Sequence, residues 1–163
     1  MAQLRPKPIS SSEKTARKRR ITRIARFVGF VGEIDYRHVY SQSGGAQYGL
    51  ASKEQDDLLT VYAEAFDRDA DIADFSLDSI IAHERGHQLL ARHPRLIRNL
   101  PISWSKVTEE IAASLLGSLL VKEDTDQQSL VLKALYDSIQ LGLEAEQATT
   151  LIAELRGLLE KLL

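Results

Sequence analysis

AHERGHQLLARH, residues 82–93, holds three of the four histidines of the chain, and its reading decides the fold. His83, Glu84 and His87 form the pattern H-E-x-x-H. On an α-helix, residues four apart differ by about 40° in azimuth and about 6 Å along the axis, so two imidazoles at that spacing can turn toward one ion. Zinc suits such a pair, with nitrogens about 2.0–2.1 Å from the metal. Glu84 lies three residues before His87, on the same side of the helix but not aimed at the ion. That is the placement of a general base acting on a metal-activated water. Ile80, Ile81, Leu89 and Leu90 give this helix apolar flanks to bury, and Gly86 lets another backbone come close.

The chain must then supply a third ligand. Cysteine is absent, which excludes thiolate and leaves His, Asp and Glu. His93 follows His87 at the spacing of H-E-x-x-H-x-x-G-x-x-H, the metzincin pattern, whose glycine turns the chain back and which also needs a methionine turn. Leu90 stands at the glycine position and the only methionine is Met1. On a continuing helix His93 lies about 240° round from His87. It reads as a helix-end residue that suits the C-terminal dipole. A later helix, over about 105–121, offers two carboxylates. With Val107 as zero, the apolar positions span roughly 0° to 220°. Glu109 falls near 200°, inside that arc, and Glu110 near 300°, beside Ser114 and Gly117. A carboxylate facing the core needs a partner. Glu109 is therefore expected as the third ligand, with Glu110 in reserve. An ion pair of Glu109 with Arg92, Arg95 or Arg98 is the competing reading.

Outward from the motif, Ser76 is the expected N-cap of its helix, which starts near Leu77 and stops at His93 because Pro94 follows. EIDYRHVYS, residues 33–41, alternates like a strand. Ser43-Gly44-Gly45 is a turn from which AQYGLA returns as a second strand, and a third is centred on Leu59–Tyr62. DRDADIAD, residues 67–74, is a polar loop, and PRLIRNLPIS a connector with two prolines. Helices follow near 125–141 and 144–162. At the N-terminus, residues 1–12 are Pro- and Ser-rich, and a helical pattern with Ile21, Ile24, Phe27, Val28 and Val31 on one face runs from Glu13 until Gly32 ends it. The expected organisation is a basic flexible arm over 1–20 and a single domain over 21–163, with helices over 125–163.

Hydrophobic content of 44% and charge of 27% fit a soluble globular chain, and no apolar run reaches the roughly 18 residues of a membrane span. No apolar segment follows the N-terminal basic residues as in a secretory signal, which favours the cytoplasm. The net charge of −2 hides an asymmetry. Residues 1–26 hold nine Lys or Arg against Glu13, giving +8, so the remainder carries −10. Residues 5–26 could contact nucleic acid or an acidic partner.

AHERGH followed by EEIAASLLGSLLV resembles the ImmA/IrrE family of zinc metallopeptidases, whose pattern is an H-E-x-G-H helix and then E-x-x-A-N-x-F-A-A-x-L-L-M-P. The likeness spans about residues 77–122, with Glu109 at the first glutamate, Ala112 at the alanine and Leu119-Leu120 at the leucine pair. Ala113 replaces the asparagine, Leu115 the phenylalanine, and Val121-Lys122 the Met-Pro. The resemblance implies an α+β, zincin-like fold with a small sheet on the active-site helix and a helix-rich C-terminal half. It also implies proteolysis of a regulatory protein such as a repressor. The expected function is zinc-dependent peptide hydrolysis with His83, His87 and Glu109 as ligands and Glu84 as base. The substrate would lie along the Leu59–Tyr62 strand, with an oxyanion donor among Tyr36, Tyr40, Tyr48, Tyr62 and His38. The alternative is a zincin-fold interaction module that binds metal without cleaving.

Overall fold

The computed structural model describes residues 4–41, 43–51, 56–67, 75–100 and 102–163. Of the polar loop expected at 67–74, only Asp67 lies among them. The described residues form six α-helices and one three-stranded sheet, a mixed α/β architecture that is 62% helical. No helix among them is long and apolar enough to cross a membrane.

Helix α1 spans Ser11–Phe27, so the second half of the segment expected as an arm is helical. Ser10 caps it, its hydroxyl accepting from the Glu13 N–H at 3.1 Å. The chain leaves the helix at Gly29, whose φ of 84° suits a residue without a Cβ, and not at Gly32 as the sequence suggests. Ile21, Ile24 and Ala25 turn inward, while Lys14, Lys18, Arg19, Arg20, Arg23 and Arg26 remain exposed.

The strands are β1 (Glu33–Arg37), β2 (Ala46–Gly49) and β3 (Leu58–Tyr62), in spatial order β1-β3-β2. β1 runs parallel to β3 with Ile34 opposite Leu59, and β2 runs antiparallel to β3 with Tyr48 opposite Leu59. The turn at Ser43-Gly44-Gly45 does not fold β2 back on β1, because β3 takes the place between them. Burial explains the order. Leu59, Thr60 and Val61 are buried in succession, which requires cover on both faces, whereas β1 alternates between half-buried and exposed positions. β3 is thus the central strand, and the expectation that it forms a free edge for a substrate is overturned. Among the described residues, the free edge toward the motif helix belongs to β2.

Helix α2 (Leu77–Arg92) carries the motif, with Ser76 accepting from the Ser79 N–H at 3.1 Å and His93 at its C-cap, as its local sequence dictates. Pro94 does end α2, but it also opens a short helix, α3 (Pro94–Arg98), inside the stretch read as a connector. Proline lacks the N–H that the first helical position does not need. Helices α4 (Lys106–Leu120), α5 (Asp124–Gln140) and α6 (Ala145–Leu159) complete the chain.

Two apolar clusters share α2. Ile80 and Ile81 pack with Ile21, Phe30, Leu59 and Val61 from α1 and the sheet. Leu89 and Leu90 pack with Ile111, Leu115, Leu116 and Leu155 from α4 and α6. The closest approach is between α2 and α4. A Cβ on Gly86 would lie 2.3 Å from the Ala113 carbonyl oxygen, and one on Gly117 would lie 3.0 Å from the Ala82 carbonyl carbon. Glycine at both crossing points lets the two backbones nearly touch, which sets how far α4 side chains reach toward the histidines.

Candidate metal centre

His83 and His87 leave α2 one turn apart, with ring centroids 4.8 Å apart and planes at 85°. Their Nε2 atoms face each other at 3.1 Å. The ligand atoms of His83, Glu84 and His87 all lie within 4.8 Å of one another, a group that could hold a metal ion.

From α4, the Glu110 carboxylate closes over both rings, with Oε2 3.0 Å from His83 Nε2 and Oε1 3.1 Å from His87 Nε2. Glu109, expected as the third ligand, approaches only the other face of the pair. Its Oε1 lies 3.7 Å from His87 Nδ1, beyond hydrogen-bond range. The azimuth explains the difference. Ala113 and Gly117 meet the α2 backbone and Ser114 bonds His83, and Glu110 continues that narrow stripe of α4. Arg92, a competing partner for Glu109, instead pairs with Asp57 at 3.1 Å. His93 stays at the helix end, its Nδ1 2.8 Å from the Leu89 carbonyl oxygen.

The donor atoms are close enough together that they could hold a metal ion. Tetrahedral zinc with bonds of about 2.0–2.1 Å holds its ligand atoms about 3.3 Å apart, within a few tenths of an ångström of the separations across His83, His87 and Glu110. His83 Nδ1 is hydrogen-bonded to the buried Ser114 Oγ at 3.0 Å. An Nδ1–H donated there leaves the Nε2 lone pair aimed at the cluster, the tautomer that a ligand needs.

The protonation balance follows from burial and crowding. Burial pushes the Glu84 carboxyl up to about 7, against the opposing pull of His87. Burial lowers the His83 pKa more than its bond to Glu110 raises it. For His87, burial also lowers the pKa, but the Glu110, Glu84 and Glu109 carboxylates together outweigh it and hold the imidazolium up. Burial would raise Glu110, yet its close contacts with both imidazoles hold it well below the usual carboxylate range.

Two cavities meet at Glu84 and Glu110. A groove of about 680 Å³ runs between β2 and the two helices, with Gln47 and Tyr48 on one wall and His87 and Glu109 on the other. A narrower cavity of about 170 Å³ lies on the His83 side, walled by Phe75, Ile80, Leu130 and Lys133. Of the five side chains considered as oxyanion donors, only Tyr48 lines either cavity, and its hydroxyl is hydrogen-bonded to Asp57 Oδ2 at 3.1 Å. The Tyr36 hydroxyl accepts from Arg17 and is bonded to His38, whose Nε2 meets the Lys7 carbonyl. Tyr40 bonds Asp67, and Tyr62 reaches Gln47.

Lys133 and Ser114 were not singled out in the sequence. Ser114 carried a signal, since it lies four residues after Glu110 on one helix face. Lys133 carried none, because its approach depends on how α5 folds back over α4. No family model matches the chain, and neither a curated protein nor a solved structure matches it.

Proposed function

We propose that the protein is a zinc-dependent peptide hydrolase in which His83, His87 and Glu110 hold the metal and Glu84 is the general base. One observation carries this reading: two imidazole Nε2 atoms and both Glu110 oxygens converge within about 3 Å, with a buried glutamate alongside, at the border of an open groove. A zinc ion held there would supply a water of lowered pKa and polarise a carbonyl.

The chain's own residues supply the rest. Glu84 is buried and its carboxyl sits near neutrality, so it can accept the water's proton and later deliver it to the leaving nitrogen. Ser114 fixes the His83 ring, and Glu109 adds a negative charge 3.7 Å from the outer nitrogen of His87. The open edge of β2 lines the groove, and an extended peptide can hydrogen-bond along it.

The resemblance to ImmA/IrrE metallopeptidases supports the same reading, and its glutamate and alanine are matched in a register shifted by one as well, although the leucine pair then becomes Leu120-Val121. With Glu110 at the glutamate, Ala113 falls on the alanine and the small Gly117-Ser118 pair falls on the two alanines. A regulatory protein is the substrate this likeness suggests.

The test is cleavage of a random-sequence peptide library by zinc-loaded wild type and Glu84→Gln, read by mass spectrometry with metal content measured in parallel. Wild type cleaves, and Glu84→Gln keeps its zinc and loses about a thousandfold or more in rate. Full activity in Glu84→Gln removes Glu84 as base, and a wild type inert toward every peptide favours the interaction module.

A further inference from the structure

We propose that Lys133, on α5, is the cationic donor that meets the oxyanion formed on the substrate's carbonyl oxygen; the inference rests on the hydrolase reading above. Amide hydrolysis requires such a donor. Attack of the water oxygen forms a C–O bond and sends the carbonyl π pair onto oxygen, while Glu84 takes the water's proton. Collapse returns that pair, breaks the C–N bond and passes the proton to the departing nitrogen. A donor aimed at the transient charge is worth far more in a secluded site than in water.

Lys133 has the position and the free protons for this. Its Nζ lies 3.8 Å from Glu110 Oε2, so it stands beside the histidine cluster, yet that distance is too long for a hydrogen bond to Glu110. Among the described residues its one short contact is to Asp137 Oδ2 at 2.8 Å, one turn along the same helix. An ammonium carries three N–H donors, so two remain. Asp137 holds the side chain in place, and Lys133 forms part of the wall of the 170 Å³ cavity together with His83, Glu84 and Glu110. The other lysine near the site, Lys106, lines the groove and is exposed, where solvent screens its charge. Of the tyrosines, only Tyr48 lines either cavity, and its hydroxyl is bound to Asp57.

A simpler role is available, in which Lys133 only neutralises and positions Glu110. The two roles separate by what each variant loses. Cobalt-substituted wild type, Lys133→Met and Lys133→Arg are titrated with inorganic phosphate, a tetrahedral oxyanion, and followed by the visible absorption of the cobalt. The expected result is unchanged cobalt affinity in all three, phosphate binding weakened about tenfold or more in Lys133→Met, and partial recovery in Lys133→Arg. Equal phosphate affinity in wild type and Lys133→Met overturns the proposal, as does a wild type that ignores phosphate. A loss of cobalt affinity in Lys133→Met that matches the loss of phosphate overturns it too, and makes Lys133 a positioning residue for Glu110. Failure of the underlying site is recognisable beforehand, because wild type would then show no cobalt spectrum at all.

Discussion

Glu109 and Glu110 are separated by about 100° of helix azimuth, and that angle divides the carboxylate that reaches both imidazoles from its neighbour. The apolar arc of α4 is broad because it packs with α5 and α6 as well as with Leu89 and Leu90, so its centre does not mark the face that meets the histidines. The face toward α2 is marked instead by small residues at helical spacing, Ala113, Ser114 and Gly117, and Glu110 lies on that stripe. The signal was present in the sequence, but serine and glycine read as a polar surface until a partner helix covers them. Glu110→Ala is expected to abolish stoichiometric zinc binding in a competition titration, while Glu109→Ala weakens it by about tenfold at most and His93→Ala leaves it unchanged. Zinc retained in Glu110→Ala and lost in Glu109→Ala would return the assignment to Glu109. Glu84 makes a separate prediction. In the metal-free protein its carboxyl is raised from 4.5 to about 7, so folding binds a proton more tightly than the unfolded chain does. The associated stability is complete below about 4.5 and is lost as pH rises through about 7. Glu84→Gln should therefore match wild type in acid and exceed it in alkali by on the order of 3 kcal/mol, as thermal melts across pH will show. A gain that is equally large in acid would mean that charge burial is not its cause.

At the scale of the element, the site depends on how closely α2 and α4 pack. Gly86→Ala sets a methyl 2.3 Å from the Ala113 carbonyl oxygen, a backbone atom that cannot swing aside. The helices must part, at a cost of about 3 kcal/mol, and Glu110 recedes from both imidazoles. Urea unfolding and zinc titration should therefore fall together in that variant. Gly117→Ala meets its neighbours at 3.0 Å or more and should lose less of both. A Gly86→Ala protein with wild-type stability and zinc affinity would refute the close-packing account. The boundaries of α2 were legible because capping is local: Ser76 precedes the first turn and Pro94 follows the last. The order of the strands was not legible. The turn at Gly44-Gly45 announces a reversal of direction, but which strand receives β2 depends on β3, which follows later in the chain and needs cover on both faces.

Across the whole molecule, one buried network ties the sheet to the motif helix. Gln88 is fully buried, its amide donating to the Val31 carbonyl and to Asp57 Oδ2 and its oxygen accepting from Val31 and Arg85. Asp57 also accepts from the Ala51 N–H, Tyr48 Oη and Arg92. Burial would raise the Asp57 pKa, and these donors outweigh it and lower it. The network joins the residues before β3, the end of β2 and the last turns of α2, so it holds the β2 edge beside the groove. Asp57→Ala leaves Gln88 and Tyr48 without their acceptor and should cost about 3 kcal/mol in urea unfolding of the metal-free protein. A loss near zero would show that the sheet is held by apolar contact alone. Sequence patterns suggested three strands, an N-capped motif helix and the later helices, but they could not show this network, whose members lie 31 and 57 positions apart in the chain. The central claim, a metal centre built from two helices, is tested most directly by anomalous scattering from crystals of the zinc-loaded protein. The account predicts a single strong peak bonded to His83 Nε2, His87 Nε2 and the Glu110 carboxylate. A peak on Glu109 or His93, or no zinc near His83 and His87, would contradict it.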